Sequence, residues 1–116
     1  MSRIHKSVPK PPARIGIAYS GGLDTRTAVA WLAARGLDVY AYTADLAQPD
    51  EATVDDIPPT AVAHGAKKAS IVDCKEDLAT QGIVAIQCGA FHLSAGGKKY
   101  FNTTPLGRAA TTTAIV

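Results

Sequence analysis

The apolar positions fall into short runs separated by polar, glycine-bearing and proline-bearing stretches, and the period changes from run to run. Arg14 to Tyr19 (RIGIAY) is Ile-rich and bounded by Pro12 and by glycines, the pattern of a buried strand. From Asp24 or Thr25 to Arg35, the residues Ala28, Trp31, Leu32 and Arg35 recur at i, i+3, i+4 and i+7. That spacing predicts a helix, and Gly36 stands where a left-handed cap would end it. Asp38 to Thr43 (DVYAYT) reads as a second strand leading into a loop through Gln48, Pro49 and Asp50. A second helix is expected from about Thr53 to His64, ended by Gly65. Pro58 and Pro59 fit only its first turn, so its start moves to near Ile57. Ala69 to Asp73 (ASIVD) predicts a third strand, and Lys75 to Cys88 a helix with Leu78, Ile83 and Ile86 on one face. Ser94 to Lys99 (SAGGKK) reads as a loop. Pro105 to Val116 opens a further helix with Thr103 or Thr104 as its N-cap.

Strands alternating with helices over short connections specify an α/β fold, a parallel sheet with flanking helices. In such sheets ligands bind beyond the carboxyl ends of the strands. The stretch from Ala18 to Arg26 (AYSGGLDTR) lies at such an end, between the first strand and the first helix.

Composition narrows the picture only slightly. A chain of 116 residues suits one core. No apolar run approaches the ~20 residues that span a bilayer, so no membrane partner is expected. A net charge of +2 leaves no electrostatic footprint for nucleic acid. Cys74 and Cys88 belong to no C-x-x-C pair and read as reduced thiols of a cytoplasmic protein. Residues 1–13 read as a flexible basic tail, because Pro9, Pro11 and Pro12 oppose an amphipathic targeting helix. Residues 14–116 then form the folded domain.

The glycine stretch has two readings on physical grounds alone. Gly21 and Gly22 free backbone N–H groups at a helix N-terminus, where an anion gains unsatisfied donors and the favourable end of the helix dipole. Ser20 and Thr25 add hydroxyls, while Asp24 suits capping of the helix or a magnesium ion. The Walker pattern is absent, since Gly97-Lys98 is followed by Lys99, and G-x-G-x-x-G does not fit Gly21-Gly22. A phosphate cradle and a plain turn both remain open.

The motif SGGLDT (Ser20 to Thr25) resembles the pyrophosphate loop S-G-G-x-D-[ST]-[ST] of the N-type ATP pyrophosphatases. VYAYTADLAQPDE (Val39 to Glu51), GIVAIQCGAFH (Gly82 to His92) and YFNTTPLGRA (Tyr100 to Ala109) resemble argininosuccinate synthase in its long bacterial form, in order and spacing. The resemblance implies an adenine nucleotide alpha-hydrolase-like, Rossmann-like domain and the ATP-dependent ligation of citrulline to aspartate through a citrullyl-adenylate. It implies ATP contacts at Ala18, Tyr19, Ser20, Gly21, Gly22, Leu23, Asp24, Thr25, Arg26 and Ala44. It implies citrulline contacts at Tyr100, Thr104 and Arg108, with Mg2+ as cofactor, no catalytic side chain in this stretch, and a homo-oligomer, tetrameric in the intact family. His92 reads as structural. A tRNA sulfur transferase using Cys74 or Cys88 is opposed by YFNTTPLGR.

Three departures from the family pattern stand out. Arg26 occupies the place of a serine, exchanging a short hydroxyl for a bulky guanidinium. Ala47 occupies the place of a glycine, at a cost of about 1 to 2 kcal/mol if that backbone needs positive φ. The chain stops at Val116, before the family's G-x-T-x-K-G-N-D segment, so the domain is expected to be incomplete at its C-terminus. The alternative reading is therefore a truncated, catalytically incomplete nucleotide-binding or interaction module. In either case an uncovered sheet edge and apolar helix face are expected to favour self-association.

Overall fold

The computed structural model describes residues 7–48, 53–90 and 92–115. Three strands, β1 (Arg14–Ala18), β2 (Asp38–Asp45) and β3 (Lys68–Asp73), form a parallel sheet in that order. Helix α1 (Leu23–Ala33) joins β1 to β2, and α2 (Ile57–Ala63), preceded by a 3-10 turn at Val54–Asp56, lies between β2 and β3. Helix α3 (Lys75–Gln87) follows β3. A hairpin of β4 (His92–Ala95) and β5 (Lys98–Phe101) leads to α4 (Thr104–Ile115). The expected α/β architecture is present. Residues 1–6 of the expected tail and residues 49–52 of the expected loop lie outside the described residues.

Strand β2 is the centre of the sheet, with Arg14 to Ala18 registered on Asp38 to Tyr42 and Lys68 to Asp73 on Tyr40 to Asp45. Its two faces do different work. Val39, Ala41 and Thr43 are buried, while Tyr40, Tyr42 and Ala44 on the other face are half-buried, the period-2 alternation of a strand. The buried face packs with Tyr19, Val29, Ala61 and Ala66 into the main core, flanked by Ile17, Leu32, Ala33, Ile57 and Ala69. On the other side α4 reaches β2 and pairs with α3.

Helix α2 begins at Ile57 as the prolines require, with Pro58 and Pro59 in its first turn, where no intrahelical N–H bond is lost. Helix α1 ends as Gly36 suggests. The amides of Gly36 and Leu37 donate back to the carbonyls of Ala33 (2.9 Å) and Leu32 (3.4 Å), the paired bonds of a Schellman end.

Three expectations are corrected. The apolar stripe of α1 is rotated: Val29 is fully buried with Ala28, Leu32 and Ala33 beside it, whereas Trp31 faces outward. There the Arg35 guanidinium lies 3.5 Å from the indole centroid, an i, i+4 cation–π pair on the solvent side. The SAGGKK stretch is a hairpin rather than a loop, because Gly96 (φ 56) and Gly97 (φ 75) supply the two positive-φ positions that a tight two-residue turn needs. On α3, Leu78 is half-buried and Ala85 buried, but Ile83 and Ile86 of the expected inner face are exposed together with Val84. The small Ala85 is the residue packed inward, so the bulky apolar side chains are left uncovered.

The contrast between Val29 and Val84 predicts separable costs. Val29→Ala removes fully buried methyl groups and is expected to destabilise the fold by about 1 to 3 kcal/mol. Val84→Ala is expected to stay within about 0.5 kcal/mol, since that side chain is mostly in water. Urea denaturation of both variants checks this, and equal losses would contradict the core described here.

Candidate functional site

The site begins where β1 leaves the sheet. The amide of Tyr19 donates to the Tyr42 carbonyl (2.8 Å), and the Thr43 hydroxyl donates to the Tyr19 carbonyl (2.9 Å). The ring of Tyr19 is 2% exposed and its hydroxyl lies 2.9 Å from Thr60 Oγ1. Thr60 spends its own proton on the Ile57 carbonyl (2.7 Å), so Tyr19 is the donor in that pair. Backbone and side chain together tie this residue to β2 and α2.

Beyond it the chain turns sharply. Gly21 has φ 76, and a Cβ there would lie 3.3 Å from Ile57 Cγ2. Gly22 is the N-cap of α1, extended at φ −74 and ψ 168, and its carbonyl accepts from the Arg26 amide (3.0 Å) and the Thr25 hydroxyl (3.1 Å). Ser20 Oγ stands 3.5 Å from Thr25 Oγ1. No side chain caps the helix, so its first-turn amides keep their donors for a ligand or for water. Asp24 is therefore not the cap suggested by sequence. The helix starts earlier, and Asp24 is an exposed acid in its first turn. Leu23 is 79% exposed, and Arg26 is also exposed.

The exit of β2 forms the second wall. Asp45 Oδ1 accepts from the Ala47 amide (3.0 Å), and Asp45 Oδ2 accepts from Lys75 Nζ (2.7 Å). The Lys75 ammonium holds the Asp45 carboxyl below the usual carboxylate range, with the Ala47 amide adding to the effect. Ala47 has φ 54, the positive value that glycine would accept and alanine resists. Next door, burial pushes the Cys74 thiol up, with the carboxylates of Asp77, Asp73 and Asp45 adding to the shift. Cys74 is also 1% exposed, the burial of a packing thiol rather than of one open to a substrate.

Between these walls and α4 lies a cleft in two adjoining parts. The inner part, about 160 Å³, is lined by Ala18, Tyr19, Ser20, Tyr42, Thr43, Ala44, Leu46, Gln48 and Thr111. The outer part, about 440 Å³, shares Ala18, Leu46, Gln48 and Thr111 and adds Thr103, Thr104, Gly107, Arg108 and Thr112. Ala18, Tyr19, Ser20, Ala44, Thr104 and Arg108 thus meet around one space. Gly21 to Arg26 continue from Ser20 into α1 without lining it, and Tyr19 turns its ring into the core, so its side chain is not offered to a ligand. Tyr100, on β5 and 50% exposed, lines neither part, nor does His92.

Leu46, Gln48 and Thr111 line both parts but were not among the residues expected from sequence. Thr111 was findable, since Thr104, Arg108 and Thr111 recur at i, i+4 and i+7 opposite the buried Leu106 and Ala110. Among the described residues no cluster of three or more His, Cys, Asp or Glu could hold a metal by protein ligands alone. No described helix is long and apolar enough to cross a membrane.

A family model for the arginosuccinate synthase N-terminal HUP domain matches residues 14–116. Among solved structures, the chain is similar to the crystal structure of protein Rv1636 from Mycobacterium tuberculosis H37Rv, at 16% identity and a TM-score of 0.35, over 95% of each chain.

The backbone at Ala47 predicts the effect of one substitution. Ala47→Gly relieves about 1 to 2 kcal/mol of left-handed strain. It returns about 0.4 to 1 kcal/mol of chain entropy to the unfolded state. The expected result is a small net stabilisation, read as a higher urea midpoint at unchanged slope, and a lower midpoint would contradict the geometry of this turn.

Proposed function

The chain belongs to the argininosuccinate synthase family, as its N-terminal HUP domain and hence a nucleotide-binding domain, and from that premise we propose that its cleft binds ATP for the activation of citrulline. One observation carries this assignment. An uncapped, glycine-led helix N-terminus opens directly beyond Ser20, at the edge of a cleft that also contains Ala44, Thr104 and Arg108.

In this reading the amides from Ser20 to Thr25 and the Ser20 hydroxyl hold the phosphates, and the Thr25 hydroxyl joins them by turning from the Gly22 carbonyl. Tyr19 anchors the turn through its bonds to Tyr42, Thr43 and Thr60, Leu23 offers its amide, and Arg26 sets a bulky guanidinium where the family pattern has a short hydroxyl. Ala44 meets adenine through its backbone. Thr104 and Arg108, with Tyr100, serve citrulline. Magnesium is commonly held by one or two carboxylates completed by substrate phosphates and water, and the exposed Asp24 fits that donor set. The ion would neutralise charge on the phosphate chain. Citrulline's ureido oxygen attacks the α phosphorus, pyrophosphate leaves, and the amine of aspartate then displaces AMP. The work of the domain is to orient the reactants and stabilise charge, and no nucleophilic side chain is required.

The exposed Ile83, Val84 and Ile86 support assembly into a homo-oligomer. The free thiols of Cys74 and Cys88 favour a reducing, cytoplasmic setting. The position of Tyr100 outside the cleft favours a second reading, a module that binds the nucleotide without carrying out ligation.

Calorimetric titration with ATP and magnesium tests the nucleotide assignment. Weak saturable binding is expected, and Arg26→Ser is expected to tighten it about two- to tenfold by restoring a short hydroxyl. Absence of binding by both forms would overturn the assignment. With citrulline and aspartate added, formation of pyrophosphate and argininosuccinate separates ligation from binding alone.

A further inference from the structure

We propose that Asp45 and Lys75 form a latch that positions Leu46–Gln48, the wall shared by both parts of the cleft. Naming the ligand as a nucleotide rests on the preceding assignment, but the latch itself does not. Leu46 and Gln48 line both parts of the cleft, and Leu46 Cδ1 would sit 3.4 Å from a Cβ on Gly107, so this side chain also spaces α4 from β2. The wall hangs from Ala47, whose φ of 54 is one that an alanine does not choose unaided. The Asp45 carboxylate holds it there, with one oxygen on the Ala47 amide and the other on Lys75.

Lys75 is itself fixed. It is the first residue of α3, its amide donates to Asp73 Oδ1 (3.0 Å), its ammonium lies 3.7 Å from Asp73 Oδ2, and the neighbouring Cys74 amide donates to the Asp45 carbonyl (3.0 Å). The carboxylate is thereby referenced to the end of β3 and the start of α3 rather than to its own loop. Its side chain is 19% exposed, against 43% for Asp38 in the Asp38–Lys67 pair, so solvent screens the latch less than that ordinary surface bridge. Neither Asp45 nor Lys75 lines the cleft, so both act as positioning residues through Ala47.

Amide hydrogen exchange read by NMR, with ATP titration alongside, separates this role from general stabilisation. Lys75→Met is expected to speed exchange at Leu46, Ala47 and Gln48 by about two- to fivefold. Asp45→Asn, which keeps an acceptor for the Ala47 amide, is expected to match it, giving a second route to the answer should one variant fold poorly. Asp45→Ala loses the acceptor as well, and about tenfold is expected. Exchange at Val29 and Val39 should not change, Lys75→Arg should restore the loop, and ATP affinity should fall by the same factors as loop protection. Unchanged loop exchange, or an equal rise at Val29 and Val39, would overturn the latch. If the unaltered chain binds no ATP, the nucleotide assignment falls, and the latch is still decided by the exchange data.

Discussion

Everything at the cleft depends on how Tyr19 is held. It is the residue at which the sheet ends and the turn begins, and it is bonded on three sides, to Tyr42, Thr43 and Thr60. A buried tyrosine hydroxyl without a partner would cost about 1 to 3 kcal/mol, so the bond to Thr60 makes the position of α2 and the start of the turn mutually dependent. The unusual opening of α2 belongs to the same arrangement. Prolines in its first turn allow the helix to begin at Ile57, which brings Ile57 against Gly21 and Thr60 against Tyr19.

From that anchor the two faces of β2 divide the molecule. Val39 and Ala41 look into the core with α1 and α2, while Tyr42, Thr43 and Ala44 border the cleft under α4. Helix α4 repeats the division, with Leu106 and Ala110 packed inward and Thr104, Arg108 and Thr111 toward the cleft. The two-sided character of one strand and one helix gives an apolar core and a cleft carrying hydroxyls and a guanidinium, without a buried side-chain polar atom left unpaired among the described residues.

Much of this was legible in the sequence because it is written in local chemistry. The Ile-rich run before Gly21, the glycine after α1 and the proline pair at α2 each act within a few residues, and all three elements stand close to where they were expected. What could not be read depends on distant partners. Periodicity put Trp31 on the inner stripe of α1, but Val29 meets the core and Trp31 stacks with Arg35 outside. The turn sequence identified Tyr19 as part of the loop but not that its ring points away from it. Gln48 lines the cleft just after Ala47, whose φ is 54, and the Asp45 carboxylate that accepts the Ala47 amide is bonded to a lysine 30 positions away. The two glycines of the β4–β5 turn were a readable hairpin signal that passed for an ordinary loop. The loop's residues could be matched to ATP contacts by resemblance, whereas on physical grounds a cradle and a turn are equally available.

The claim that these walls form one nucleotide site is tested most directly by mapping amide chemical shifts during an ATP titration. The account predicts that the largest changes fall on Ser20 to Thr25 and extend to Ala44 and Thr111, while the hairpin from His92 to Tyr100 is little affected. Shifts centred on that hairpin, or on the exposed face of α3, with the Ser20–Thr25 amides unmoved, would contradict it.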